Sequence, residues 1–228
     1  MSPPIPQTPP VNFALRRRVR NRSAAKHEQI NFFCEEIAGR MFERLDYIKL
    51  EPRVILDLNC ALGESSSKVA KRFPDPLVIP CDPALGLLRM HAAPKKLFSW
   101  FGKSLNRVCG EAHALPIAAK SVRGLWRVVE PGGLLMLSTL VPDTLKELRE
   151  AFSQVDSLSH IQPQVDMHDL GDMLAHEGFQ TPVVDMEMVT LTYPDVKTLA
   201  RDLRAAGASN LEATRRATLT GKNRWANV

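Results

Sequence analysis

Two aspartates stand where predicted strands end, and their spacing is typical of a nucleotide-type cofactor site. Asp57 follows a short apolar run, and a tight turn then leads into a helix that begins near Glu64. Asp82 lies 25 residues later, at the end of a second apolar run. In open α/β sheets such cofactors bind at the carboxyl ends of the strands, where an acid about 20 residues after the first turn accepts hydrogen bonds from the ribose. We therefore predict that Asp57 and Asp82 border a cofactor site.

Each aspartate also has a structural interpretation. Asp57 can accept hydrogen bonds from the backbone amides of its own turn. Asp82 can cap the following helix, because a proline comes next and suits the first helical position. For Asp82 the capping and ribose-binding roles are compatible, so both stay open.

The turn after the first strand resembles the first motif, D-x-G-x-G-x-G, of class I S-adenosylmethionine (SAM)-dependent methyltransferases. Asp57 and Gly63 match it, whereas Asn59 and Ala61 replace the first two glycines. Glycine allows a positive φ and a close approach of the cofactor. Asn59 tolerates a left-handed conformation, but at Ala61 such a conformation is strained and costs about 1–3 kcal/mol. The resemblance implies that Asp57, Asn59, Ala61 and Gly63 bind the cofactor, and the strain predicts weakened binding.

The segment after the third predicted strand resembles another part of that superfamily, G-D-A-x-x-L-P. Here it reads G-E-A-H-A-L-P and begins at Gly110. The resemblance implies that Glu111 accepts a hydrogen bond from the adenine amino group and that the amide of Ala112 meets the ring. A loop acid exposed to solvent is the alternative interpretation of Glu111.

The elements that must position these residues alternate between strands and helices, which predicts a parallel sheet with helices on both faces. Pro80 cannot donate to a ladder, so we place it at the very end of the second strand. Gly178 and Gly207 are expected to end helices. The predicted strands cover residues 53–58, 77–81, 107–109, 134–140 and 183–193. The predicted helices cover residues 30–47, 65–73, 84–92, 122–129, 144–152, 169–177 and 196–206.

The expected fold class is therefore α/β, a Rossmann-like class I methyltransferase sheet, and the sheet is expected to be incomplete. Only 19 residues separate Glu111 from Pro131. A fourth strand, a loop and a helix do not fit in that space, given ~5–6 residues for a strand and ~11–12 for a helix. We read Pro131-Gly132-Gly133 as the turn that precedes the next strand.

The composition is that of a globular protein with a basic surface. The chain has 228 residues, 44% of them hydrophobic, and a net charge of +5. No apolar run approaches the ~20 residues of a membrane span, and the proline-rich start does not read as a secretory signal. We expect a cytoplasmic protein with a flexible Pro/Arg-rich tail over residues 1–21 and a single methyltransferase-like domain over residues 22–228. No aromatic residues interleave with the arginines of the tail, so nucleic acid binding is not favoured.

Neither the cysteines nor the histidines indicate a metal site. The cysteines form no C-x-x-C pair, and we interpret them as buried reduced thiols. His168 lies among three acids, Asp166, Asp169 and Asp172, which could suggest a metal cluster. The same acids suit the first turn of a helix, and we favour that interpretation.

Later segments narrow the resemblance to the malonyl-acyl-carrier-protein O-methyltransferase family of biotin synthesis. The resemblance implies transfer of the methyl group of SAM to the free carboxylate of a malonyl group on acyl carrier protein, which is thus the implied partner. It also places His27 where the family has a tyrosine near the cofactor pocket. The segments that carry the likeness are residues 44–52, 142–148, 166–172, 190–193 and 201–203.

Methyl transfer to a carboxylate needs alignment and desolvation rather than a strong base, so no catalytic residue is assigned. The alternative is a catalytically degenerate, non-enzymatic paralogue that binds SAM weakly or binds a protein partner. A nicotinamide-dependent oxidoreductase is disfavoured because no G-x-G-x-x-G follows the first strand.

Overall fold

A three-stranded parallel sheet lies at the centre of the fold. The computed structural model describes residues 11–26, 31–91, 107–110, 125, 128–213 and 215. The first part contains helices α1 (Phe13–Ser23) and α2 (Asn31–Leu45), strand β1 (Val54–Leu58), helix α3 (Glu64–Arg72), strand β2 (Leu77–Asp82), helix α4 (Leu85–His91) and strand β3 (Val108–Cys109). The later part contains helices α5 (Lys146–Ser153), α6 (Met167–His176) and α7 (Val196–Ala205).

The strand order β1-β2-β3 confirms the predicted parallel α/β arrangement. Val54 of β1 pairs with Leu77 of β2, and the register continues to Leu58 and Cys81. β3 is short and pairs only with the last two residues of β2. Helices α3 and α4 both pack against β2, α1 packs against α4, and α2 packs against α3. Since the strands are parallel, Asp57 and Asp82 both lie toward the carboxyl edge of the sheet.

Pro80 lies inside β2, so its predicted place at the end of the strand was wrong. The N–H of Leu77 donates to the carbonyl of Arg53, and the carbonyl of Cys81 accepts from the N–H of Cys60. These groups face β1, and successive residues alternate in direction, so the nitrogen of Pro80 faces the β3 side. Pairing with β3 begins only at Cys81, so the missing N–H removes no ladder bond.

The predictions of a buried strand over residues 134–140 and of a long strand over residues 183–193 were wrong. Neither segment pairs with another strand among the described residues. Leu134 is 40% exposed and Val183 is 91% exposed. A strand is buried only when neighbours cover its faces and edges, and the described sheet ends at β1. The segment around Asp185 is tied to α2 instead, by an ion pair with Arg44.

The predicted helices that fall within the described residues are confirmed, with boundaries shifted by at most two residues. Asp166 and Asp195 cap the N-termini of α6 and α7. Gly178 and Gly207 follow these helices with φ of 104° and 69°, as expected of C-terminal glycines. Most of the helix predicted over residues 122–129 lies outside the described residues.

The predicted Pro-Gly-Gly turn is also confirmed. The N–H of Gly133 donates to the carbonyl of Glu130 over 2.8 Å, and Gly132 has φ of 80°. A residue with positive φ at this place in a turn is normally glycine.

Residues 13–23 form helix α1, although a flexible tail was predicted through residue 21. Asn12 caps this helix by accepting the N–H of Leu15. The helix leads to Ala24, which is buried with Ala84 and Leu87 in the apolar core. The tail prediction failed because it relied on the prolines of residues 1–10, which lie outside the described residues. The division into domains stays a prediction. None of the described helices is long and apolar enough to cross a membrane.

Candidate functional site

Residues 59–63, between β1 and α3, form the candidate cofactor turn. This turn has three left-handed residues at alternate positions. Asn59, Ala61 and Gly63 have φ of 59°, 48° and 78°. These are the positions at which the D-x-G-x-G-x-G motif has glycine. The backbone therefore takes the conformation that favours glycine, even though Asn59 and Ala61 carry side chains. For alanine this region costs roughly 1–2 kcal/mol.

Contacts within the fold stabilise this strained turn. The N–H of Ala61 donates to Asp82 Oδ2 over 3.1 Å. Arg16 Nη2 on α1 donates to Asn59 Oδ1 over 3.0 Å, and the N–H of Gly63 donates to the carbonyl of Cys60 over 2.7 Å. The turn is thus held from β2 and from α1.

Asp57 binds the first turn of α3 rather than the backbone of the cofactor turn. The hydroxyls of Ser65 and Ser66 donate to its Oδ2 over 2.6 and 2.5 Å. Ser66 is fully buried, so its hydroxyl needs this partner. No described residue is shown donating to Asp57 Oδ1, which leaves that oxygen as the one able to meet a ligand.

Asp82 is fully buried and accepts hydrogen bonds from three other residues. Oδ1 accepts the N–H of Ala84 over 2.8 Å, as expected of an aspartate that begins a helix. Oδ2 accepts the N–H of Ala61 and a 2.5 Å bond from Arg20 Nη2. Arg20 Nε is 3.4 Å from Oδ1, a long and weak contact. A ribose hydroxyl could reach Asp82 most easily by displacing that weak contact.

The arginines of α1 are the functional candidates that sequence reasoning missed. Arg16 and Arg20 are one helical turn apart and both reach the site, at Asn59 and Asp82. Their spacing of four residues places them on one face of a helix. That signal was present in the sequence, but the arginine run was assigned to a flexible tail.

The site contains two buried thiols, Cys60 within the turn and Cys81 near the end of β2. Burial raises the pKa of Cys60 far above its ordinary value, and the nearby carboxylates of Asp57 and Asp82 raise it further. Burial and then the charge of Asp82 raise the pKa of Cys81 to about 11. Both thiols are therefore protonated at neutral pH and poor nucleophiles.

Three predicted site residues, His27, Glu111 and Ala112, lie outside the described residues. The described part of the chain contains no group of three or more histidine, cysteine or acidic side chains able to hold a metal ion. Among the acids near His168, Asp166 is the N-cap of α6. His160 pairs with Asp156 over 2.8 Å and stacks on Phe152.

No family model matches this chain. The chain is 40% identical over 236 residues to malonyl-acyl-carrier-protein O-methyltransferase of Gallionella capsiferriformans. The alignment covers 93% of this chain and 80% of that protein. The protein of the same name from Nitrosospira multiformis is 38% identical over 248 residues, with 94% and 81% covered.

A third protein of that name, from a Methylovorus species, is 38% identical over 233 residues, with 93% and 79% covered. These aligned stretches are longer than the 228 residues of this chain. The relatives therefore carry internal residues that this chain lacks. Identity at this level over nine-tenths of the chain shows that it belongs to the malonyl-acyl-carrier-protein O-methyltransferase family.

Proposed function

We propose that this chain transfers the methyl group of SAM to the free carboxylate of malonyl-acyl carrier protein, in the cytoplasm and as a step of biotin synthesis. The observation that carries the proposal is the identity of 38–40% to relatives named for this reaction, over 93–94% of the chain. The left-handed turn at residues 59, 61 and 63 supports the same conclusion. It supplies the backbone conformation of the cofactor motif without its glycines.

The described residues fit the cofactor with one adjustment. The turn from Asn59 to Gly63 has the backbone conformation needed for a close approach, and Asp82 would hold the ribose hydroxyls once the weak contact from Arg20 Nε gives way. Asp57 Oδ1 would meet the ammonium group of the cofactor through water. By resemblance, Glu111 and the amide of Ala112 would contact the adenine.

Methyl transfer to a carboxylate requires alignment of the two reacting groups and does not require a general base. When bound, SAM supplies an electrophilic methyl group that passes from the sulfonium sulfur to a carboxylate oxygen, giving a methyl ester and a neutral thioether. A malonyl carboxylate is already ionised at neutral pH, because carboxyl pKa values lie near 4. The chain's contribution is to orient the two groups and to exclude water.

The protonated thiols of the site favour the malonyl carboxylate as the methyl acceptor. Cys60 is buried and its pKa is raised by burial and by the two carboxylates beside it. A thiol that stays protonated does not compete with the substrate carboxylate for the methyl group. By resemblance, His27 would border the substrate where the family has a tyrosine.

The test is methyl transfer by the purified chain, with SAM and malonyl-acyl carrier protein, followed by mass spectrometry of the carrier. We expect the mass to rise by one methylene unit on the malonyl group and to stay unchanged with acetyl-acyl carrier protein, which has no free carboxylate. Calorimetric titration with SAM should accompany the assay. A folded chain that binds SAM but leaves malonyl-acyl carrier protein unmodified would contradict the proposed substrate, and a folded chain that does not bind SAM would contradict the proposed reaction.

The role of Asp82 is tested by Asp82→Asn, which keeps the shape of the side chain and removes its charge. We expect weaker SAM binding, because a neutral amide is a poorer acceptor for ribose hydroxyls. Asp46→Asn, at an exposed position away from the turn, is the matched control. Equal affinity in a folded Asp82→Asn protein would rule out the ribose assignment.

A further inference from the structure

Helix α1 carries five arginines and divides them between two faces. Arg16 and Arg20 face the fold and are partly buried. They bind Asn59 and Asp82, which belong to the cofactor turn and to the end of β2. One face of α1 is therefore committed to the candidate cofactor site.

The remaining arginines, Arg17, Arg18 and Arg22, are exposed. With Ala14 and Asn21 they line an open depression of about 430 Å³. None of the ion pairs or side-chain hydrogen bonds found among the described residues involves these three guanidinium groups. The depression is thus bordered by three positive charges for which the described part of the fold provides no counter-charge.

Arg22 in the last turn suits the helix dipole, but two other features of the charge pattern are unfavourable for an isolated helix. Arg18 and Arg22 are four residues apart, where like charges on a helix repel each other. The first turn of α1 has no acidic residue, although acids there would interact favourably with the helix dipole. A negatively charged partner on this face would relieve both effects.

Hydrogen bonds fix helix α1 to the rest of the fold, so the position of its outer face is defined. Asn21 Oδ1 accepts the N–H of Gly86 on α4 over 2.8 Å. The N–H of Asn12 donates to the carbonyl of Leu211 over 2.8 Å. A partner on the outer face would lie one helix diameter, about 10 Å, from the cofactor turn.

We propose that Arg17, Arg18 and Arg22 form the docking surface for the acidic carrier protein that delivers the malonyl group. This inference rests on the proposed function. Positive charges that face an acidic partner accelerate the encounter and fix its orientation. Because Arg16 and Arg20 of the same helix contact the cofactor turn, docking here brings the carrier to the side of the fold where methyl transfer takes place.

The experiment compares two triple variants of the full chain. R17Q/R18Q/R22Q removes the three charges of the docking surface, and glutamine has a helix propensity similar to that of arginine. K71Q/K197Q/R204Q removes three exposed charges from α3 and α7 and is the matched control. Circular dichroism confirms that both variants are folded, and fluorescence anisotropy measures binding of labelled malonyl-acyl carrier protein at several salt concentrations.

We expect R17Q/R18Q/R22Q to raise the Kd for the carrier by roughly tenfold or more and to reduce its dependence on salt. The control should bind as the wild type does, and both variants should keep the wild-type affinity for SAM. Equal weakening in the two triple variants, or none in the first, would overturn the docking site. Binding of single-stranded nucleic acid through these arginines, with no binding of the carrier, would also overturn it.

The binding assay does not depend on turnover, so the two proposals can fail separately. A wild-type chain that binds the carrier through these arginines but transfers no methyl group would support the docking surface and contradict the proposed function. A chain that methylates malonyl-acyl carrier protein equally well with and without the three arginines would support the proposed function and contradict the docking surface.

Discussion

The guanidinium of Arg20 lies against the fully buried carboxylate of Asp82, with 2.5 Å between Nη2 and Oδ2. The pair joins helix α1 to the end of β2, at the position where the cofactor ribose is expected. A carboxylate has about four acceptor positions, and Arg20 together with the amides of Ala61 and Ala84 uses them all. A ribose that bound to Asp82 would therefore compete with Arg20.

Replacing Arg20 with alanine should lower stability and tighten cofactor binding. We expect the free energy of unfolding to fall by about 3 kcal/mol, because Asp82 would stay buried without its counter-charge. The Kd for SAM should fall severalfold, since no guanidinium then competes for the carboxylate. Denaturant unfolding and calorimetric titration measure the two quantities.

The control for Arg20→Ala is Arg22→Ala, on the exposed side of the same helix. It should change stability by less than about 0.5 kcal/mol and leave SAM binding unchanged. If Arg20→Ala weakened SAM binding in a folded protein, Arg20 would have to be regarded as part of the cofactor site rather than as a competitor.

Replacing Ala61 with glycine should stabilise the protein and tighten cofactor binding. Ala61 has φ of 48°, and glycine adopts that conformation without the roughly 1–2 kcal/mol penalty of a Cβ. After the larger chain entropy of glycine is subtracted, we expect a gain of about 1 kcal/mol in the free energy of unfolding.

Asn59→Gly is the matched comparison for Ala61→Gly. Asparagine tolerates the left-handed region, and its side chain accepts a hydrogen bond from Arg16, so we expect little or no gain in stability. Equal stabilisation by both substitutions would show that the side-chain contact of Asn59 contributes nothing. A loss of stability on Ala61→Gly would contradict the strain assigned to this position.

The four cysteines should differ sharply in reactivity toward iodoacetamide. Cys60 and Cys81 are buried as predicted, but Cys34 and Cys109 are exposed, so the prediction of buried thiols was wrong for these two. With a pKa of about 11, Cys81 is ionised in only about one molecule in a thousand at pH 8. Mass spectrometry after brief labelling should find the label on Cys34 and Cys109, and on all four thiols after denaturation. Rapid labelling of Cys60 in the native protein would mean that the cofactor turn opens readily.

The N-terminus of α7 should contribute a pH-dependent part of the stability. The N–H of Thr198 donates to Asp195 over 2.8 Å, and this bond lowers the pKa of Asp195 below its ordinary value. A lowered carboxyl pKa in the folded state gives stability that is present above the ordinary pKa near 4 and is lost as the pH falls through the lower value. The melting temperature of the wild type should therefore exceed that of Asp195→Asn at neutral pH. The two melting temperatures should converge as the pH falls from about 5 toward 3.

Asp75→Asn, at an exposed position outside the helices, controls for the loss of one surface carboxylate. If the melting temperatures of Asp75→Asn and wild type converged by the same amount as the pH falls, the effect at Asp195 would not come from helix capping.

The conformation of single segments was predictable because it depends on neighbouring residues. The apolar run before Asp57 predicted β1, and the acids around His168 predicted the helix start that Asp166 caps. The left-handed turn was predictable at Gly63 and was recognised at Asn59 and Ala61 by comparison with the motif. Each of these features is decided within a few residues of the chain.

The apolar pattern of residues 134–140 was equally clear, yet Leu134, Leu137 and Leu140 are exposed. Alternation and hydrophobicity describe what a strand could bury, but burial itself requires a neighbouring strand. The described sheet ends at β1, and that limit arises from the arrangement of the whole fold.

The sequence by itself determined the family, the parallel arrangement of the strands, and the turn whose backbone must be left-handed. Only the tertiary structure decided that Arg20 meets Asp82, 62 positions further along the chain. Local patterns constrain dihedral angles and helix ends, because those depend on adjacent residues. The pairing of distant charges depends on how α1 packs on α4, and that packing is a property of the assembled chain.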